Sequence, residues 1–190
     1  MYKLIIIWMG IVCSLPVYSQ HKVEREYHIH SSAAPQMARD FIERCYPVQK
    51  IKWYVEESHQ SRSIEAKFKK GGKSYSIEFD SIGNLQDAEV LVSFAAIPDS
   101  VRKLIESKLH DEYRKYKIMK VQRQWKGSVD AIQALITEEK TTHPFETNYE
   151  IVIRGVNKKG AALYELLFNQ EGTLVRTSPI VQKNASHLIY

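Results

Sequence analysis

Apolar residues recur along this chain with two periods, and the two periods take turns twice. After Pro35, the residues Met37, Ala38, Phe41, Ile42 and Cys45 fall on one stripe at helical spacing, with Arg39, Asp40, Glu43 and Arg44 facing away. This spacing predicts an amphipathic helix that ends at Pro47. Pro35 suits its first turn, where a missing N–H costs nothing. The period then drops to two. Ile51, Trp53 and Val55 alternate with Lys52, Tyr54 and Glu56. The same alternation runs through Ile64, Ala66 and Phe68, and again through Tyr75, Ile77 and Phe79. Gly71-Gly72 and Ser81-Ile-Gly-Asn84 supply turns, and Leu85 to Val92 a fourth strand. The expected unit is a helix followed by an antiparallel meander, apolar toward the helix and polar away from it.

A second unit follows the same plan. Pro98 opens a helix with Val101, Leu104, Ile105 and Leu109 on its stripe. Met119 and Val121 begin a strand, Tyr149, Ile151 and Ile153 the next, Tyr164, Leu166 and Phe168 the third, and Leu174 to Val181 the last. The residues themselves repeat. Tyr75, Phe79, Gly83 and Leu85 return as Tyr164, Phe168, Gly172 and Leu174 at a constant offset of 89. Pro35, Arg39, Ile42 and Glu43 return as Pro98, Arg102, Ile105 and Glu106 at an offset of 63. Self-similarity on this scale signals a duplicated supersecondary unit.

The offsets differ because the second unit carries an insertion over about 127–148, in its first hairpin. Within it, Val129, Ile132 and Ile136 fall on one side of a short helical pattern. Long insertions in compact domains are usually functional or disordered, and disorder alone would not explain the apolar residues of this one. This one is expected to fold over the outer sheet face of the second unit or to form a partner surface with it. That outer face is predicted to be partly apolar, with Val152, Leu163 and Leu167 beside Glu150, Arg154 and Glu165. The first unit's outer positions, Glu65, Lys67, Lys69, Ser74, Ser76 and Glu78, are all polar. Val152, Leu163, Leu167, Val129 and Ile132 are therefore the candidate binding residues.

The ends refine the organisation. Lys3, the apolar run Leu4–Val12 and the small residues before Gln20 read as a secretory signal peptide over 1–19. The alternative makes Cys13 a lipid-bearing cysteine, but the bulky Val12 precedes it where a small residue is normal. Residues 20–33 are polar and without sustained period, and are expected to form an N-terminal arm. The repeats occupy 34–93 and 94–182, and 183–190 form a tail. A periplasmic or secreted location follows. The apolar run is too short to span a membrane. With Cys45 the lone cysteine beyond the signal, a hydrophobic core rather than a disulfide must stabilise the protein.

Charge and motifs then narrow the chemistry. The formal net charge is +5, with Lys and Arg dispersed rather than gathered into a stripe interleaved with aromatics, which argues against nucleic-acid binding. No Gly-x-Ser-x-Gly elbow, phosphate-cradling glycine loop or His-Glu-x-x-His occurs. His28 and His30 point the same way on an extended segment, but two imidazoles need further ligands to hold a metal. The adjacent carboxylates Glu56-Glu57 and Glu138-Glu139 face opposite sides of a strand. No catalytic residue, metal ligand or cofactor is predicted.

A signal peptide, the duplicated Pro-x-x-(Ala/Val)-Arg-x-(Phe/Leu)-Ile-Glu helix and the Tyr-x-(Ile/Leu)-x-Phe-(Asp/Asn)-x-x-Gly hairpin together resemble the exported PepSY-like proteins of Bacteroidetes. These are similar to beta-lactamase-inhibitor protein. The resemblance spans roughly residues 34–182. It implies an α+β fold of two tandem repeats, each a helix packed on a four-stranded antiparallel sheet. It also implies a non-catalytic module that binds another exported protein or a peptide, with inhibition of a secreted hydrolase as one form of that activity. The competing expectation is a periplasmic enzyme whose site is scattered across both repeats.

Overall fold

The structure is a computed structural model that describes residues 25–47, 50–57, 61–158 and 160–180. The signal-peptide segment, Cys13 and the tail lie outside these residues. Among the described residues, nine strands form one antiparallel sheet in which every neighbour in space is also the neighbour in sequence. They are β1 (Arg25–Ile29), β2 (Lys52–Glu57), β3 (Arg62–Lys70), β4 (Lys73–Asp80), β5 (Leu85–Leu91), β6 (Lys115–Gly127), β7 (Phe145–Asn157), β8 (Gly160–Asn169) and β9 (Leu174–Ile180). Three α-helices accompany them among the described residues: α1 (Gln36–Cys45), α2 (Asp99–Glu112) and α3 (Val129–Thr137).

Two expectations change at this level. The two four-stranded meanders are not separate sheets, because β5 pairs with β6 from Ala88↔Trp125 to Leu91↔Gln122. The segment read as an arm contributes a ninth strand, β1, which pairs with β2 from Arg25↔Glu57 to Ile29↔Trp53. Its sequence hid this because an edge strand buries little, and only Tyr27 and Ile29 of β1 pack against the core.

Alternation fixes which side of the sheet is apolar. Val55, Ile64, Ala66, Ile77, Phe79 and Ala88 meet Ala38, Phe41, Ile42 and Cys45 of α1 in one core cluster. Val121, Ile151, Ile153, Leu166 and Phe168 meet Ile105 and Leu109 of α2 in another. Trp125 belongs to the first cluster and Val121, two positions of alternation away on the same strand, to the second. All three helices therefore share one face of the sheet. Phe79 and Phe168 are both fully buried. Met37 and Leu104, placed on the helical stripes by spacing, are instead largely exposed.

The halves match in local detail. Each helix is preceded by a short 3₁₀ turn, Ser31–Ala33 or Phe94–Ala96, and by a proline at its N-cap. Arg39 Nη1 donates to the Ser31 and Ser32 carbonyls at 3.2 and 3.1 Å, and Arg102 Nη1 to the Ala95 carbonyl at 3.3 Å. Asp80 Oδ1 accepts the Ile82 and Asn84 backbone N–H groups, and Asn169 Oδ1 those of Glu171 and Thr173. Both hairpins carry a register shift at the same place, between Glu78 and Phe79 and between Leu167 and Phe168.

The insertion does not fold over the second half's outer face. Its first residue, Gly127, ends β6 and its last four, 145–148, begin β7. Between them α3 crosses to the helical side of the first half. Ile132 and Ile136 are fully buried there in the cluster built around α1. Ser128 Oγ caps α3 by accepting from Ala131 N–H. Arg44 Nε donates to Gln133 Oε1 at 3.3 Å, and Lys70 Nζ to the Ile136 carbonyl at 2.9 Å. The apolar residues of the insertion are thus core for a helix layer that α1, with 10 residues, is too short to complete alone. Val129 is exposed.

Candidate functional site

The helices leave the opposite face of the sheet without a helix among the described residues, and its side chains form the candidate site. Across the middle strands this face is acidic. Glu65, Glu78, Asp87, Glu89 and Glu150 alternate with the core positions of β3, β4, β5 and β7, and register brings them into adjacent rows: Glu65↔Glu78↔Asp87, and Gln122↔Glu150. Amides are interleaved with the acids. Gln122 Nε2 donates to Glu89 Oε2 at 2.5 Å, and Gln124 Nε2 to Asp87 Oδ2 at 3.2 Å. Asn148 Nδ2 donates to Gln124 Oε1 at 3.2 Å. Toward the first edge, Lys67 bridges Glu26 and Glu65 at 2.7 and 2.8 Å, while Ser76 donates to Glu65. Toward the last edge, Arg176 pairs with Glu165 at 3.0 Å.

Concentrating carboxylates in a partly desolvated row disfavours their charge. Burial, followed by the charge of Glu78, pushes the Asp87 carboxyl up to about 7, although Lys126 opposes the shift. Burial, followed by the charges of Glu150 and Asp87, holds Glu89 well above the ordinary range. One polar atom is left over. Gln122 is 5% exposed, and its Oε1 has no hydrogen-bond partner among the described residues.

Val152, Leu163 and Leu167 lie on this same face. Val152 stands opposite Lys120 and Glu165, Leu163 opposite Arg154 and Ile180, and Leu167 opposite Glu150 and Arg176. Val152 and Leu167 are buried and Leu163 is half-buried. Leu91 joins them, 41% exposed and directly opposite Gln122. The other two candidates do not: Ile132 sits in the core on the helical side and Val129 is exposed on α3. Helical spacing located α3, but no local signal shows which half a helix in a long insertion will cover. The acidic centre was also missed. Its members are separated in sequence and meet only through the β5–β6 junction and the strand register.

On the helical side, a hollow of about 270 Å³ is lined by Lys73, Tyr75, Arg123, Trp125, Leu135 and Glu138. Lys73 pairs with Glu138 at 2.8 Å across it, which satisfies one cation and its acid. Cys45 lies beneath α1, and burial pushes its thiol up to about 12, a state unsuited to nucleophilic attack. His28 stacks edge-on against Tyr54, and His30 caps the following 3₁₀ turn. Among the described residues, no three His, Cys, Asp or Glu side chains gather as a metal set, and no helix is long and apolar enough to cross a membrane.

This arrangement of helices on one side of a long antiparallel sheet has solved counterparts. A BLIP-like protein from Bacteroides fragilis aligns with a TM-score of 0.50 at 15% identity, over 82% of this chain and 93% of its own. The fold is BLIP-like. A DUF2874 family protein from Bacteroides ovatus shares it with a TM-score of 0.51, at 15% identity and over 77% of this chain and 87% of its own. An inferred periplasmic protein from Bacteroides eggerthii does so with a TM-score of 0.51, again at 15% identity, over 77% and 88%. No protein-family model matches the sequence, and no curated protein matches it. The BLIP-like likeness suggested by the helix and hairpin motifs is thus borne out as a likeness of fold.

Proposed function

We propose that this chain is an exported, non-catalytic module that binds a protein or peptide through the helix-free face of its sheet. The observation that carries this reading is the one-sided placement of α1, α2 and α3, which leaves Leu91, Val152, Leu163 and Leu167 on the other side around a charged centre. Apolar side chains gathered on one face and bordered by polar ones mark protein-binding surfaces. The matching caps, turns and register shifts of the two halves support their reading as tandem copies of one helix-on-sheet unit. The N-terminal signal pattern supports export, and the periplasmic description of a structural neighbour agrees with it. The neighbour named BLIP-like makes secreted hydrolases the partner class to test first.

The test is a random-peptide display library panned against the purified protein and against two variants. Leu91→Ser combined with Leu163→Ser alters the helix-free face at positions that are not fully buried. Leu104→Ser alters an exposed position on the helical side. Selected peptides should bind roughly tenfold more weakly to the first variant, as for loss of an apolar anchor, and equally well to the second. Equal binding to all three proteins would refute the assignment.

A further inference from the structure

Within the helix-free face, one group of side chains has a chemistry more specific than apolar contact. Gln122 is more than nine-tenths buried and lies opposite Leu91 on β5 and Glu150 on β7. Its amide nitrogen is committed to Glu89, which turns Oε1, the acceptor, away from that carboxylate without a donor to meet it among the described residues. An amide oxygen beside an ionised carboxylate offers acceptors only. A buried acceptor with no donor leaves its desolvation uncompensated, and grouped carboxylates add repulsion. A single ligand that brings several N–H groups and a positive charge would relieve both.

We propose that Gln122, Glu89 and Glu150 form a receptor for the guanidinium of an arginine side chain on the binding partner. A planar guanidinium presents donors in a fixed fork, so it can serve Gln122 Oε1 and a carboxylate together, which a lysine ammonium does less well. The walls fit the rest of the side chain. Leu91, directly opposite Gln122, is placed to pack along the methylene stem of an arginine whose head reaches the acids. Arg176 is engaged with Glu165, and Lys67 with Glu26 and Glu65; Lys120, on the same strand as Gln122, offsets part of the charge around Glu89 but leaves Gln122 Oε1 without a donor among the described residues.

This inference rests on the proposed use of the helix-free face, but it can fail separately. The probe is N-acetyl-arginine amide titrated into the isotope-labelled protein, with the side-chain amide resonances of Gln122 and Gln124 followed by NMR. The arginine derivative should shift the Gln122 resonance saturably, the lysine derivative should bind more weakly, and the uncharged citrulline derivative should leave it in place. Glu150→Gln and Glu89→Gln should each weaken arginine binding by roughly tenfold or more, the size expected for a charge-assisted hydrogen bond. No saturable shift in the wild-type protein, or an equal response to citrulline, overturns the receptor. Peptides that depend on Leu91 and Leu163 but bind Gln122→Leu and Glu150→Gln unchanged would remove the arginine site and leave the face. Arginine binding at Gln122 together with peptides indifferent to Leu91 and Leu163 would do the reverse.

Discussion

Gly83 packs against Pro35 so closely that a β-carbon on the glycine would lie 2.9 Å from the proline Cβ. Gly83 has φ of +98°, in the left-handed region, and closes the turn between β4 and β5. The turn therefore docks against the first turn of α1, and the backbone of Ala38 stands 3.1 Å from the same virtual atom. Gly172, with φ of +81°, does this for α2, where its β-carbon would meet Leu104 Cβ and the Val101 carbonyl at 3.1 Å each. In both halves the repeated turn glycine docks against the N-terminal part of the repeated helix, on Pro35 and Ala38 in the first and on Val101 and Leu104 in the second.

Gly83→Ala and Gly172→Ala should accordingly each destabilise the protein, by about 1–3 kcal/mol from backbone strain, with steric displacement of the helix adding to it. Gly71→Ala, at a turn where a β-carbon meets nothing within 4 Å, should cost less, since only its φ of +56° opposes the change. Urea denaturation of the three variants measures this order. Equal midpoints for Gly83→Ala and Gly71→Ala would show that the helix contact contributes nothing.

Phe79 and Phe168 are fully buried at matching places, and Phe79 touches Phe41 edge-on at 5.8 Å between ring centroids. Truncation of either to Ala should cost about 3–5 kcal/mol, because a large side chain is removed from a site that cannot collapse around the loss. Denaturation midpoints that stay put in both variants would contradict this account of the core.

Asp87 predicts a pH dependence with a definite sign. Its folded pKa of about 7 lies above the ordinary 3.8, so between these values the folded state holds a proton that the unfolded chain releases. The associated stability is fully present below the ordinary value and is lost as pH rises through about 7. Glu89, also raised, contributes in the same direction. Asp87 is surrounded by Glu65, Glu78 and Glu150 and opposed by Lys126, so its charge is disfavoured by its neighbours as well as by burial. The wild-type denaturation midpoint should fall between about pH 5 and about pH 8, and Asp87→Asn should flatten the profile. A wild-type midpoint that rises over that interval would show the sign to be wrong.

How much of this was legible in the sequence follows from the range of each interaction. Period and turn chemistry are local, so α1, α2, the hairpins, and the inward Phe79 and Phe168 could be read directly. The outward placement of Val152, Leu163 and Leu167 follows from the same alternation. Three things needed the assembled sheet. β1 has too little buried surface to leave a pattern. The insertion shows a helix but not the half it covers. The Glu89–Gln122 contact joins two strands that the repeat boundary had separated, since β5 is the last strand of one unit and β6 the first strand of the next.

The crossing of α3 has a consequence for what each half can be without the other. Ile132 and Ile136 belong to the second half in sequence and to the first half in packing. A chain cut between β5 and α2 would leave α1 over a sheet with part of its roof missing, and would leave the second half carrying a helix with its apolar side turned to water. The second half thus supplies part of the roof over the first, and the core of the first half closes only once α3 has been made and has folded onto it.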